Sequence, residues 1–216
     1  MFSLGFDRRF GDRFLLGLVA SANNTSVTRS GPATRDSGSG LLYGAYFAYE
    51  LSDGWAVDGR ALTGDISHRV TTAGALSGTY NSQEIHASLR LSGEFQQGSW
   101  RLAPAVELAT MTRNDAAYTD TVSGPVPASN STQSFVTGTL LGYYDGLNLA
   151  GGAMTPYLGF EISKQTGVGG PFGTARAGLS FEFANGGQLT VDYAHGAIGL
   201  PNLNDSLLTI RFEVPF

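Results

Sequence analysis

The last eleven residues, SLLTIRFEVPF (206–216), decide the fold class of this chain. Apolar side chains occupy every second position, at Leu208, Ile210, Phe212, Val214 and Phe216. A period of two is typical of a β-strand with one apolar and one polar face. Chain ends usually fray into water and gain little from bulky apolar side chains. We therefore expect the apolar face of this strand to lie against a protein core or against lipid.

The same alternation recurs along almost the whole chain. With the terminal strand it predicts eleven strands, the other ten being 2–10, 13–22, 41–51, 55–62, 85–95, 100–109, 135–144, 154–163, 175–183 and 188–197. Short turns alternate with longer polar stretches, at 23–39, 65–80, 112–133, 165–172 and 198–206. This spacing predicts an all-β, antiparallel up-and-down sheet whose two rims face different environments.

Composition limits the classes of protein that this chain can represent. A length of 216 residues fits one domain, and the absence of Cys excludes disulfides. A net charge of −5 argues against a nucleic-acid partner, which normally requires a basic face. Alternation starts directly after Met1, with no signal peptide before it. If the protein is exported, we therefore expect its translated start to lie upstream.

The polar face distinguishes a membrane barrel from a soluble sandwich or lipocalin-like barrel. It mixes Gly, Ala and Ser with charges of both signs, which suits a confined aqueous lumen, whereas a solvated exterior is usually rich in Lys and Glu. The expected lumen-lining charges are Asp7, Arg9, Asp58, Arg60, Arg90, Glu94, Glu107, Glu161, Arg176, Glu182, Asp192 and Arg211. The opposite face carries almost no charge, and a cation there would cost roughly 2–4 kcal/mol in a bilayer.

Aromatic residues flank the short turns. Trp55 and Trp100 begin strands, and Tyr49, Phe95 and Phe183 lie just before turns. Such positions predict an aromatic girdle at a membrane boundary. The sequence therefore favours a transmembrane β-barrel in a bacterial outer membrane, with lipid as a partner.

Several motifs then resemble one family. LGFDRRFGDRFLLGLVAS (4–21) resembles the G-x-D-x-R-x-G-D start of the autotransporter β-domain, and YGAYFAYELSDGWAVDGRALTG (43–64), LAPAVELA (102–109) and TPYLGFE (155–161) follow in the family's order. The resemblance implies a twelve-stranded barrel with a helix in its lumen, joined to a secreted passenger upstream. It also implies that the C-terminal strand, from Leu208 to Phe216, is the signal for the barrel-assembly machinery.

The number of predicted strands, eleven, indicates that one strand of the barrel is missing from this sequence. Both termini of such barrels normally lie on the periplasmic side, which requires an even number of strands. We therefore expect 1–216 to form a single barrel domain that lacks its first strand and the luminal helix.

Catalysis is not expected. The three histidines, His68, His86 and His195, have no spacing that forces them together, and GVGGPFG (167–173) is not a dinucleotide fingerprint. We predict no enzyme activity, cofactor or metal. The expected function is the translocator of an autotransporter. The alternative is a stand-alone barrel that acts as a passive pore or as an adhesin through 23–39 and 112–133.

Overall fold

The described residues of the chain form fifteen β-strands. The computed structural model describes residues 2–29, 34–149, 151–167, 170–184, 186–198 and 205–213. Its strands are β1 (Phe2–Phe10), β2 (Phe14–Arg29), β3 (Thr34–Ser52), β4 (Trp55–Thr72), β5 (Ala75–Gly93), β6 (Phe95–Gln97), β7 (Trp100–Asp115), β8 (Tyr118–Asp120), β9 (Gly124–Val126), β10 (Ser129–Tyr144), β11 (Leu147–Leu149), β12 (Gly152–Gln165), β13 (Phe172–Phe183), β14 (Gln188–Ile198) and β15 (Asp205–Glu213). Among these residues no helix is long and apolar enough to cross a membrane.

Thirteen strands form one sheet in which neighbours follow chain order. Its main path runs β1, β2, β3, β4, β5, β7, β10, β12, β13, β14, β15, with the short β6 beside β7 and β11 beside β12. Each of the eleven strands of this path overlaps one of the eleven predicted segments, and the predicted all-β antiparallel up-and-down fold is confirmed. Over the described residues, β1 and β15 are the two ends of the order and are not paired with each other.

The longer polar stretches were predicted to be connections between strands. In the structure, two of them consist mostly of strand. β2 continues to Arg29 and pairs with β3 as far as Arg29↔Thr34, so most of 23–39 is strand. Residues 65–80 are also strand except at Ala73 and Gly74, whose positive φ angles of 50° and 84° form the turn. Two consecutive residues at positive φ give the turn type that matches strand twist. Polar hairpins therefore extend the sheet at this rim.

Backbone contacts group the chain into two compact units. The first contains Met1–Tyr49, Asp58–Leu89 and Ala109–Ser134, and the second contains Glu50–Val57, Arg90–Leu108 and Phe135–Phe216.

In the first unit, the two faces of the sheet exchange polarity along the strands. The outward face, defined by the exposed side chains of Leu16 and Leu18, becomes polar towards the hairpin tips, at Asn24 and Ser26. On β4 the exposed Asp65, Ser67 and Arg69 alternate with the buried Ile66, His68 and Val70. The sheet therefore carries an apolar outward face near the short turns and an apolar inward face near the hairpin tips.

In the second unit the outward face is apolar over most of the strand length. The register places Leu140, Phe160 and Ala175 in one row, followed by Leu158, Ala177 and Tyr193 in the next. Residues offset by one position, such as Thr139 and Glu161, lie on the inward face. Alternation thus separates an apolar surface from a polar one within each strand.

We predict that Leu140→Arg prevents stable assembly and that Thr139→Arg does not. Leu140 is 53% exposed on the outward face, where a mid-membrane cation costs roughly 2–4 kcal/mol. Thr139 is its neighbour on the inward face and pairs with Glu161, which an arginine can contact. Heat-modifiable mobility in detergent and lipid measures assembly. Equal yields of folded protein for the two variants would contradict the membrane-facing register.

Candidate functional site

A row of three residues crosses β1, β2 and β3 on the inward face of the first unit. Gly17 pairs with Asp7 on one side and with Tyr46 on the other. The Tyr46 ring lies over Gly17, where a Cβ would clash with it, and its hydroxyl donates to Asp7 Oδ2 at 2.6 Å. An aromatic ring over a strand glycine shields the exposed backbone and fixes the register.

The second unit contains the same arrangement in reverse strand order. Gly178 pairs with Asp192 and with Tyr157, whose ring covers it. The Tyr157 hydroxyl donates to Asp192 Oδ1 at 2.6 Å. Arg176 extends this row, because its guanidinium lies 3.5 Å from Asp192 and 3.6 Å from Glu161. The predicted charges Glu161, Arg176 and Asp192 are therefore brought together.

These residues line a polar pocket on the inward face of the second unit, which we call the charged pocket. Its volume is about 520 Å³. Six of the predicted lumen charges line it, namely Arg90, Glu107, Glu161, Arg176, Asp192 and Arg211, together with threonines and with Tyr143 and Tyr157. Among the described residues, no ion pair is found for Arg90 or Glu107. Two unlike charges in this pocket thus remain available to a further group.

Other predicted charges lie elsewhere. Glu94 is 3.5 Å from Arg101, which also binds Asp145 at 3.1 Å and lies 4.2 Å from the centre of the Tyr143 ring. The hydrogen bond from Arg101 holds the pKa of Asp145, in the turn after β10, below its ordinary value. The remaining predicted charges belong to other parts of the inward register and do not line the pocket: Asp7, Arg9, Asp58, Arg60 and Glu182.

Each aromatic residue expected in the girdle contacts another ring. The centroid distances are 6.3 Å for Tyr49–Phe14, 5.6 Å for Trp55–Phe95, 5.1 Å for Trp100–Tyr144 and 6.3 Å for Phe183–Phe212. Phe14, Tyr144 and Phe212 were not expected there, because the sequence alone does not give cross-strand register.

The C-terminal strand presents the apolar row on which the prediction was based. Leu208, Ile210 and Phe212 are 63%, 67% and 63% exposed on β15. Val214 and Phe216 lie outside the described residues. The pairs Tyr193↔Leu208, Val191↔Ile210 and Leu189↔Phe212 place the row in the outward register.

His68, expected in a loop, is instead buried on β4 within a cluster of polar side chains. Its Nδ1 lies 3.0 Å from Asp36 Oδ1, and its Nε2 lies 3.0 Å from Ser82 Oγ. This order of carboxylate, imidazole and hydroxyl is that of a nucleophilic triad. The sequence did not predict this cluster, because Asp36 and His68 are 32 positions apart and only strand register brings them together.

The contacts of the histidine cluster do not suit nucleophilic catalysis. Ser82 is only 1% exposed, so its hydroxyl is not accessible to an external carbonyl group. Arg113 Nη2 lies 3.3 Å from His68 Nε2, the nitrogen that would accept the serine proton. Tyr80 stacks on His68 at 4.4 Å. These contacts indicate that the three residues stabilise the packing of the hairpins.

The β8–β9 hairpin is anchored to the same region. Tyr118 stacks on Tyr80 at 4.8 Å, and Asp120 accepts hydrogen bonds from the backbone N–H groups of Ser123 and Val122 and from the Ser77 hydroxyl. These bonds, led by the one from Ser123, lower the pKa of Asp120. Burial, followed by the hydrogen bond to Asp36, raises the pKa of Tyr80.

The other two histidines make local contacts. His86 Nε2 lies 3.0 Å from Glu84, and His195 Nδ1 lies 3.1 Å from the Ser206 hydroxyl. Within the part of the chain that the structure describes, no three His, Asp or Glu side chains form a metal-binding group.

The fold is similar to that of two solved translocator domains of autotransporters. The β-domain of the Bordetella autotransporter BrkA is 19% identical, with a TM-score of 0.69 over 97% of this chain and 85% of that chain. The translocator domain of NalP from Neisseria meningitidis is 12% identical, with a TM-score of 0.71 over 99% and 78%. No match was found among curated protein sequences.

The family model for the autotransporter β-domain matches residues 1–200, and the chain belongs to this family. It is therefore a translocator β-domain of the bacterial outer membrane that mediates secretion of a passenger, and it is a transport barrel, not an enzyme. The sequence-based predictions of family, function and location are confirmed.

Proposed function

We propose that the charged pocket holds the segment that joins the translocator to its passenger. The observation that carries this proposal is the pocket itself, where six charges from separate strands surround an open volume of about 520 Å³. Arg90 and Glu107 offer one cation and one anion, so a polar segment or helix with both charges can bind. The remaining predicted lumen charges, in the same inward register, continue the aqueous lining.

The paired charges suit this role because they attract a passing chain only weakly. Arg176 already contacts Glu161 and Asp192, and the Tyr157 hydroxyl binds Asp192. Such groups have hydrogen-bond partners before any passenger arrives, so exchange with a moving segment gains little. Retention then depends on the unpaired Arg90 and Glu107.

We predict that Arg90→Ala with Glu107→Ala weakens retention of the connecting segment without preventing assembly. A reporter passenger is placed upstream, behind a secretion signal, and its accessibility to external protease measures display. Loss of two charge-assisted contacts should increase hydrogen exchange or protease cleavage of the connecting segment about tenfold.

Lys164→Ala is the matched control, because this exposed cation lies on the outward register of β12, opposite Val136. Unchanged protection in the double variant would refute the retention role. Absence of any reporter display by the wild-type chain would instead argue against its capacity to translocate.

We also propose that the C-terminal segment is the signal read by the barrel-assembly machinery, through Leu208, Ile210 and Phe212 of β15 and through Val214 and Phe216 beyond it. The exposed apolar row at Leu208, Ile210 and Phe212 supports this role, because it offers an assembly factor a continuous apolar edge. Lipid of the outer membrane would then cover the row, and the aromatic residues at the short turns would lie at the boundary.

Phe212→Asp and deletion of Phe216 should each lower the yield of heat-modifiable barrel while synthesis continues. Thr209→Asp is the control, because Thr209 lies on the same strand but lines the charged pocket. Pulse-chase labelling separates assembly from synthesis. If both terminal variants assemble at the wild-type rate, the role of β15 as a signal is excluded.

The unpaired edges of β1 and β15 support the proposal that the barrel contains a further strand. Among the described strands, β1 pairs with β2 and β15 with β14, which leaves one edge of each without a partner. Unpaired backbone groups in hydrocarbon cost several kcal/mol each. We propose that one additional strand, preceded by a luminal helix, pairs with these edges in the parent protein.

Cysteine crosslinking tests this element in the parent polypeptide, since the chain has no native Cys. Pairs placed along β1 and β15, such as Gly5→Cys with Thr209→Cys, should not form direct disulfides if a strand separates them. Because neighbouring strands lie about 4.8 Å apart, direct pairing would give efficient crosslinks in at least one register. Such crosslinks would overturn the proposal.

A further inference from the structure

The outward face of the first unit carries a polar surface beyond its apolar region. We call it the collar and define it by Asn24, Ser26, Arg35, Ser37, Ser67 and Arg69, all of which line one hollow of about 820 Å³. On β3 the exposed apolar residues of this register end at Leu41. The collar therefore begins where the membrane-facing surface ends and continues on the same strands.

The distance between the collar and Leu41 places the collar in the layer of lipid headgroups. Arg35 lies six residues beyond Leu41, which corresponds to roughly 20 Å along an extended strand and less along the membrane normal because of strand tilt. The strands here are paired, as Asn24↔Ser39 and Thr28↔Arg35 show. The collar is thus held by regular sheet at the level of the headgroups.

Two arginines give the collar its charge. Arg35 donates from Nε to Ser26 Oγ at 2.8 Å, and its two terminal nitrogens carry four further N–H donors. Arg69 is exposed on β4, and among the described residues neither arginine forms an ion pair. Guanidinium groups bind phosphate oxygens in a bidentate manner, and hydroxyl and amide side chains bind sugar hydroxyls.

We infer that the collar binds the phosphorylated saccharide headgroup of an outer-leaflet glycolipid. Its continuity with the lipid-facing surface places it beside such headgroups, and its two unpaired cations complement their phosphates. The six collar side chains contain no large apolar group, whereas the core of a protein-protein interface is rich in aromatic residues. The inference rests on the location in the outer membrane and is independent of passenger transport.

Binding of fluorescent bisphosphorylated lipid A to the purified protein in detergent tests the inference. The variant Arg35→Gln with Arg69→Gln should bind about tenfold more weakly or worse, since two charge-assisted contacts are lost. Arg8→Gln is the matched control, because Arg8 is an exposed cation in the outward register at the opposite rim. Heat-modifiable mobility verifies that each variant is folded.

Three comparisons separate the possible ligands. Dephosphorylated lipid A should bind the wild type as weakly as bisphosphorylated lipid A binds the double variant, and phosphatidylglycerol should compete poorly because it lacks the saccharide. Inorganic phosphate should not displace the probe at concentrations that leave the barrel folded. Equal affinity of wild type and double variant, equal loss in Arg8→Gln, or full displacement by inorganic phosphate would each overturn the inference.

Discussion

The constraint on which this structure depends is that backbone N–H and C=O groups in hydrocarbon need partners within the protein. A β-sheet satisfies it only between neighbouring strands, which explains the strictly sequential order of the eleven long strands. Sequential hairpins bring each new strand beside one that is already placed. The same constraint gives the end strands β1 and β15 their importance, because an open edge is tolerable in water but costly in a bilayer.

The outward face of the first unit is apolar along one part of its strands and polar along the other. Between the short turns and Leu41 the outward side chains are apolar and exposed, while Tyr46 and Asp7 bind each other on the inward face. Beyond it the outward side chains are polar, and Ile66 and Val70 form a core inside. Apolar and polar side chains alternate along the whole length of these strands. What changes is which of the two faces is apolar. If lipid covers the apolar part, as proposed above, the point of change marks the end of the hydrocarbon more closely than the end of any strand does.

This exchange of the apolar face between the two sides of the sheet explains which features could be predicted from the sequence. The eleven strands were predictable, because period-two alternation is a local property of each segment. The hairpin extensions also alternate, as DISHRV (65–70) does, but their polar average and position between strong strands suggested a loop. The cluster of Asp36, His68 and Ser82 was not predictable, since register alone brings its members together. The row of Tyr157, Gly178 and Asp192 required register in the same way.

The inward charges resolve a conflict between stability and transport. A lumen that must admit a polypeptide has to be wet, yet isolated charges on a low-dielectric wall are costly and would bind a passing chain strongly. Pairing Arg176 with Glu161 and Asp192 removes both problems, because each group is satisfied before a passenger arrives. The Tyr157 ring covers Gly178 and shields the backbone of that wall. Strong binding can then be limited to the few charges that the wall leaves unpaired, so in the function proposed above retention and passage are properties of different residues.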